Sequence, residues 1–339
     1  MFKQSAVALG LTTLLSGCMM TGPDVVCTPD TVVNIPQAEV PAKNSEEIKV
    51  IVLPVDLDFE DSAKSKLQSV VRNALETHVT DTGTQLVDRK IANKLTKEIK
   101  LAEQSGRYNT KGVPIADYAV ITEITSSDLS YKHVEAHTSK NILTGKDMFV
   151  PARCDFEVEF TAVAKIVTLP DMALVKRIEL KGDESMSTDT KKSDCPISKA
   201  TYEGLASKAA AEAVNYSTEL KSLLAASAPI IELRQCEAGS MVKIGIGSEK
   251  NVQPNAKVTF SKILKNSEGE LETFAVGEGT VVNIPDHGIK AKYSWVGIDE
   301  ETALKVQKGD AAKLVHESAC SGLLDLECHA QETMTKAGL

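Results

Sequence analysis

The sequence predicts an α/β (α+β) sandwich domain followed by a small all-β barrel-like domain. Three observations predict it. Ile48–Pro54 is a near-continuous apolar run, as expected of a strand buried on both faces, and helical and strand spacings alternate after it. Asp155–Thr168 alternates apolar with polar residues, and an alanine-rich stretch of helical spacing ends that region near Leu224. From Ala228 short apolar runs are separated by Gly, Asn and Pro, the pattern of a small antiparallel barrel or sandwich.

The first 17 residues have the layout of a secretory signal: Lys3 at the start, an apolar run from Ala6 to Leu15, then Ser16 and Gly17. A helix needs roughly 20 apolar residues to span a bilayer, so this run is too short to be a transmembrane anchor. Leu15-Ser16-Gly17-Cys18 resembles the box of bacterial lipoproteins, in which the cysteine becomes the lipid-modified N-terminus. The competing reading is an ordinary signal peptide with a chance cysteine, and the agreement of length, polarity and box favours lipidation of Cys18. Met19 follows, not Asp, which in the enterobacterial sorting rule implies the periplasmic face of the outer membrane. Two or three acyl chains hold stably, at about 0.8 kcal/mol per buried CH₂.

Removing 17 of 339 residues leaves 322, and the net charge of −9 becomes −10 with the loss of Lys3. Such an acidic chain has no general electrostatic pull toward nucleic acid or anionic lipid. Hydrophobic residues make up 42 % and aromatics only 4 %, so the cores are aliphatic. Besides Cys18 there are six cysteines, an even number that suggests disulfides in an exported protein. Six allow 15 connectivities. The expected pairs are Cys154–Cys195 within the first domain, Cys320–Cys328 closing a tail loop, and Cys27–Cys236 pinning the tether to the second domain. No pair has CxxC spacing, which argues against a redox or zinc site.

In order, residues 18–46 read as a proline-punctuated tether (Pro23, Pro29, Pro36, Pro41). Fully extended, it would span about 90 Å. The α/β domain covers 47–226. The Ile48–Pro54 strand leads to a helix over Lys64–Val79, with Leu67, Val70, Val71, Ala74, Leu75 and His78 in phase and Gly83 ending it. Gln85–Val87 is a short strand, and Asp88 N-caps a helix carrying Ile91, Leu95, Ile99 and Ala102. Asp117–Thr125 is the next strand. Ser126–Val150 reads as polar and turn-rich, with Thr144–Asp147 at its tip. Asp155–Thr168 and Leu174–Leu180 form a hairpin around Leu169–Met172. Gly182–Asp194 reads as a polar loop, and Lys199–Leu224 as one long helix.

The Ile51-Val52-Leu53-Pro54 strand, the Leu86-Val87-Asp88-Arg89 step and the Ala116–Val120 strand resemble the curli-secretion-channel and TolB N-terminal-like superfamily. The likeness covers about residues 47–226. It implies a fold used by lipoproteins that form rings at secretion or polymer-export sites, and by activators of cell-wall synthases. The curli channel crosses the outer membrane with two long amphipathic hairpins, which Ser127–Phe149 and Gly182–Ile197 would have to supply. A barrel strand needs about ten residues with one lipid-facing apolar row. The row Leu129, Tyr131, His133, Glu135, His137 carries charge, and the second segment is polar throughout. The expectation is therefore a periplasmic protein without a transmembrane pore.

The second domain covers 227–316, with strands expected at Met241–Ile246, Lys257–Phe260, Gly279–Ile284, Lys292–Val296 and Ala312–Val315. Gly277-Glu278-Gly279-Thr280-Val281 and Lys308-Gly309-Asp310 resemble the C-terminal module of the flagellar-assembly T protein of sheathed-flagellum bacteria. Residues 317–339 are a cysteine-clipped tail.

No catalytic constellation is present. His133 and His137 stand four apart, but in an extended segment that places them about 13 Å apart, as solvated surface. His316-Glu317 lacks the rest of a zinc-protease motif. Gly245-Ile246-Gly247 has no helix after it and reads as a turn or bulge. The lone Trp295 reads as core or rim packing rather than a partner-facing hot spot. The expectation is thus a non-enzymatic protein without cofactor or metal. Its expected role is as a structural or assembly component of an envelope machine, a secretion complex or a flagellar outer ring, with protein partners and a homo-oligomeric ring. The alternative is a docking regulator of a periplasmic cell-wall synthase.

Overall fold

The computed structural model describes residues 27–96, 116–140, 145–170, 172–269, 271–282 and 288–315. After a short strand β1 (Thr31–Val33), the chain builds a mixed sheet from β2 (Lys49–Val52), β3 (Asp56–Leu57), β4 (Gln85–Leu86), β5 (Tyr118–Val134), β8 (Arg153–Thr168) and β9 (Leu174–Asp189). A separate hairpin, β6 (His137–Lys140) with β7 (Asp147–Val150), lies between β5 and β8. The sheet order is β4-β2-β5-β8-β9, with β3 beside β5. β2 runs parallel to β4 and β5, whereas β5, β8 and β9 are antiparallel. This division follows from the connections, since parallel neighbours need a crossover and antiparallel ones a turn.

α1 (Lys64–Asp81) buries Leu67, Val71, Leu75 and Val79, one residue per turn, on one face of the sheet. Gly83, at φ +74°, lets the chain turn out of the helix. The same sheet face takes α3 (Lys199–Asn215), whose Ala206, Ala209, Ala210 and Ala213 are fully buried against Phe156, Val158 and Phe160 of β8. The opposite face carries Ile51, Leu53, Ala119, Ile121 and Val167, covered by Ala92 and Leu95 of the helical stretch α2 (89–96). Helices on both faces give the sandwich its layers.

Three local expectations need correction. Residues 126–134 and 182–189 are not loops: β5 and β9 continue through them, paired to β8 from Ser126↔Thr161 to Val134↔Arg153 and from Gly182↔Phe160 to Asp189↔Arg153. Residues 137–140 and 147–150 are strands as well. One face of the extension is open to water, so polar side chains such as Glu157 and Glu159 satisfy it while the ladder supplies the backbone bonds. The helix expected over Lys199–Leu224 is two. Ser217 accepts a hydrogen bond from the Leu220 amide and caps α4 (Thr218–Leu224).

The second sheet is a closed barrel. β10 (Ser227–Cys236), β11 (Gly239–Ile244), β14 (Ser294–Ile298), β13 (Leu271–Val281), β12 (Lys257–Lys265) and β15 (Ala311–Val315) follow one another around it, and β15 pairs back onto β10. Closure removes the edges that an open sheet would leave. Its core holds Ile230, Leu233, Val242, Ile244, Val258, Phe260, Val296 and Leu314. The opening strand β10 is absent from the sequence expectation: Pro229 reads as a break, yet it sits in the strand opposite Ala311. A short helix, α5 (Glu300–Lys305), follows β14 and is capped by Asp299, which accepts from the Thr302 amide at 2.7 Å.

Candidate functional site

The expected tether does not hang free along its length. From Cys27 onward it is a strap laid on the barrel. Cys27 is disulfide-bonded to Cys236, 209 residues away. β1 then pairs antiparallel with the C-terminal half of β10, Thr31↔Gln235 to Val33↔Leu233. It fills the place beside β10 that β15, pairing only Ser227–Pro229, leaves open. Val33 and Ile35 pack on the barrel core. Further on, the Ala38 amide donates to the Lys308 carbonyl at 2.8 Å, the Lys308 amide to the Pro36 carbonyl at 2.9 Å, and the Ala42 amide to the Gly309 carbonyl at 2.8 Å. Gly309, at φ +97°, lies against Ala38 and Pro41. Its neighbour Asp310 is buried and accepts from the Gln307 amide at 2.7 Å, and burial pushes its carboxyl above the usual carboxylate range. The Lys308-Gly309-Asp310 turn thus receives the strap.

Beneath the disulfide lies a cation–aromatic cluster. Trp295, only 8 % exposed, packs with Met241 and Val282 against Cys27, Cys236 and Tyr293. The Arg234 guanidinium lies 5.3 Å from the Trp295 ring centre, and Lys243 Nζ lies 4.1 Å from that of Tyr293. Glu232 bridges the two cations, at 3.1 Å to Arg234 and 3.5 Å to Lys243. Arg234 also donates to the Pro29 carbonyl of the strap. Trp295 is therefore packing, as read from the sequence.

At its far end the strap meets the second chain crossing. Ser45 Oγ donates to the Ser227 carbonyl and accepts from the Ser227 amide, and Asn44 Nδ2 donates to the Gly245 carbonyl. Lys250 reaches the Gly83 carbonyl and pairs with Glu46 at 3.3 Å. The two passages of chain between sheet and barrel therefore run bonded side by side.

No protein-family model matches this chain, and no curated protein does. Among the solved structures that it is similar to is a hypothetical protein from Chlamydia trachomatis, 14 % identical over 42 % of this chain and 74 % of the other, at a TM-score of 0.24. A lipoprotein from Neisseria meningitidis is 13 % identical, over 48 % of this chain and 94 % of that one, with a TM-score of 0.22. A minor lipoprotein from Acinetobacter baumannii is 8 % identical, over 49 % and 84 %, with a TM-score of 0.24. Likenesses at this level decide neither role nor arrangement.

The structure places the other singled-out residues as follows. Cys154 and Cys195 form the second disulfide, tying the start of β8 to the loop before α3. Cys18, Cys320, Cys328 and His316 lie outside the described residues. His133 is on β5 opposite Cys154, while His137 opens β6. No group of three potential metal ligands occurs among the described residues. Gly245 lies against Ala228 and Asn44, and Gly247 against the carbonyls of Lys290 and Ala291, so that GxG is close backbone packing. No described helix is long and apolar enough to cross a membrane. Sequence reasoning missed Glu76, which is buried and pairs with Arg72 at 2.9 Å and with Arg89 of the Leu86–Arg89 step. Arg72 also reaches the Val52 carbonyl, so this trio fastens α1 to α2 and β2. The Glu76–Arg72 spacing of i, i−4 was the available signal.

Proposed function

We propose that this chain is a lipid-anchored envelope protein serving as a structural or assembly component of an envelope machine, such as a secretion complex or a flagellar outer ring. It acts by docking rather than catalysis, and the lipid on Cys18 holds it at the periplasmic face of the outer membrane. The observation that carries this reading is open sheet edge. Among the described residues, β9 bonds to β8 along Leu174–Asp189 and to no strand on its other side. Beyond Ile124, β5 likewise pairs with β8 alone. Soluble proteins blunt long edges because a row of unpaired N–H and C=O groups invites another strand. Two disulfides fit an oxidising compartment.

Crosslinking in intact cells, followed by partner identification, tests the reading together with the particle mass after mild detergent extraction. The expected outcome is a large symmetric assembly containing this chain. A monomer under every condition, with no crosslinked partner, sinks it. Co-purification with a cell-wall polymerase whose rate changes would favour a docking regulator instead.

A further inference from the structure

The strap fixes which end of the barrel the anchor holds. The ladders can be traced outward from the disulfide at Cys236, strand by strand. Cys236 pairs with Gly239, Ser240 with Ile298, and Ile298 with Gly279. Strand β13 reaches that level from Leu271, and β12 leaves it toward Lys265. One end of the barrel therefore gathers the Cys27–Cys236 disulfide, the Glu237–Ala238 turn, the start of α5 and the β12–β13 hairpin. The other end holds Ser227, Gly245 and Lys250, which bond to Ser45, Asn44, Glu46 and Gly83 of the α/β side. The barrel stands between the α/β sheet and the anchor.

Only Met19–Val26 separate Cys18 from Cys27. Nine Cα steps span about 30 Å at most, a third of what a free tether would reach. The end that this short leash holds also exposes apolar side chains. Beyond the bulge at Phe260/Ser261 the β12–β13 hairpin continues past the barrel, with Leu271 63 % and Phe274 47 % exposed. α5 packs beside it, Thr302 filling the space over Gly277, and exposes Leu304 at 83 %. Lys265 stands opposite Leu271 and Lys262 opposite Phe274. Apolar side chains flanked by lysines suit the boundary between headgroups and acyl chains. Glu268, Glu270 and Glu272 in the sequence around the tip, and the exposed Glu300 and Glu301 that open α5, restrict it to a shallow seat.

We propose that this end of the barrel rests on the lipid surface, with Leu271, Phe274 and Leu304 as its contacts, and that the α/β sheet points away from the membrane. The proposal rests on the lipid-anchor reading of Cys18. The test uses the full-length lipidated protein in phosphatidylethanolamine–phosphatidylglycerol vesicles whose acyl chains carry bromine, a contact quencher of tryptophan. Trp295 is buried and serves as the constant background. In Phe274→Trp the added emission shifts to the blue and is lost in brominated vesicles, whereas in Phe149→Trp, on the β6–β7 hairpin, it is unchanged. Vesicle-bound protein with Phe274→Trp unquenched overturns the proposal while leaving the anchor reading intact. So does quenching at Phe149→Trp alone. If Phe274→Trp is unquenched and Phe274→Glu strips a co-purifying protein, the surface is a protein dock and the proposal falls. Unaltered protein that fails to float with vesicles refutes the anchor reading, and this inference with it.

Discussion

At Gly182 a hydrogen atom decides how closely β9 lies on α3. A Cβ there would stand 2.6 Å from the Ala213 amide nitrogen and would also strike the Ala209 carbonyl. Gly182→Ala is therefore expected to cost about 1–3 kcal/mol, read as a lower denaturant midpoint with an unchanged slope. Tyr202, on the same helix, donates to Asp61 at 2.5 Å and approaches Ser127 Oγ at 3.1 Å. Burial first, and the bond to Asp61 second, push its phenol up to about 12. A raised folded value means that the neutral phenol is favoured in the fold. Its stabilisation is fully present below the unfolded value near 10 and is lost as pH rises through about 12. Melting curves should be flat in this respect to about pH 9 and fall from about pH 10 to 12, and Tyr202→Phe should remove that part of the fall. An equal fall in both proteins would refute the assignment. Little of this is legible in sequence: Gly182 reads as the start of a loop, and Tyr202 only as one of a helical row. The alternation of Phe156–Ile166 is legible, because each residue's environment there depends on its immediate neighbours.

Elements show the same division. α1, the β8 alternation and the Asp88 cap, whose carboxylate accepts from the Lys90 amide, follow from short-range spacing. The strap does not, since β1 is three residues long and its partner β10 lies about two hundred positions later. Proline-rich sequence without periodicity gives no sign of a strand there, and the expected Cys27–Cys236 pair is what points to a seat on the barrel. Its fastening is nonetheless layered, and that leads to a prediction. Replacing both Cys27 and Cys236 by Ser opens a long covalent loop and should cost about 2–4 kcal/mol. The fold should survive, because β1 and the backbone bonds to Lys308 and Gly309 remain. The measurement is limited proteolysis beside the denaturant midpoint: cleavage should quicken within residues 27–44 and not in the sheet. The Glu76 trio makes a contrasting case. Glu76→Ala leaves Arg72, itself mostly buried, without its carboxylate, and should cost about 3–5 kcal/mol in thermal or denaturant unfolding. A loss below the resolution of that measurement would show that the trio adds nothing to stability.

For the whole molecule, the position of Cys27 separates anchoring from folding. The Cys27–Cys236 disulfide, the β1–β10 ladder and the backbone bonds of Ala38 and Ala42 to Lys308 and Gly309 hold the strap on the barrel by themselves. Cys18→Ser should then leave the melting temperature and both disulfides unchanged while moving the protein from the membrane to the soluble fraction. The exposed Leu271, Phe274 and Leu304 would not retain it. Each side chain contributes at most about 1.5–3 kcal/mol when fully buried, and a shallow seat buries only part of each. Their sum is comparable to the marginal, reversible binding of one acyl chain, which washing removes. The decisive measurement is fractionation of Cys18→Ser before and after a high-pH carbonate wash. Release without the wash supports the lipid as the dominant grip. Release only after it would assign the remaining grip to partners bound along the open edges of β5 and β9. Retention through it would mean that strands enter the bilayer, reopening the pore that the charged row from Leu129 to His137 argues against.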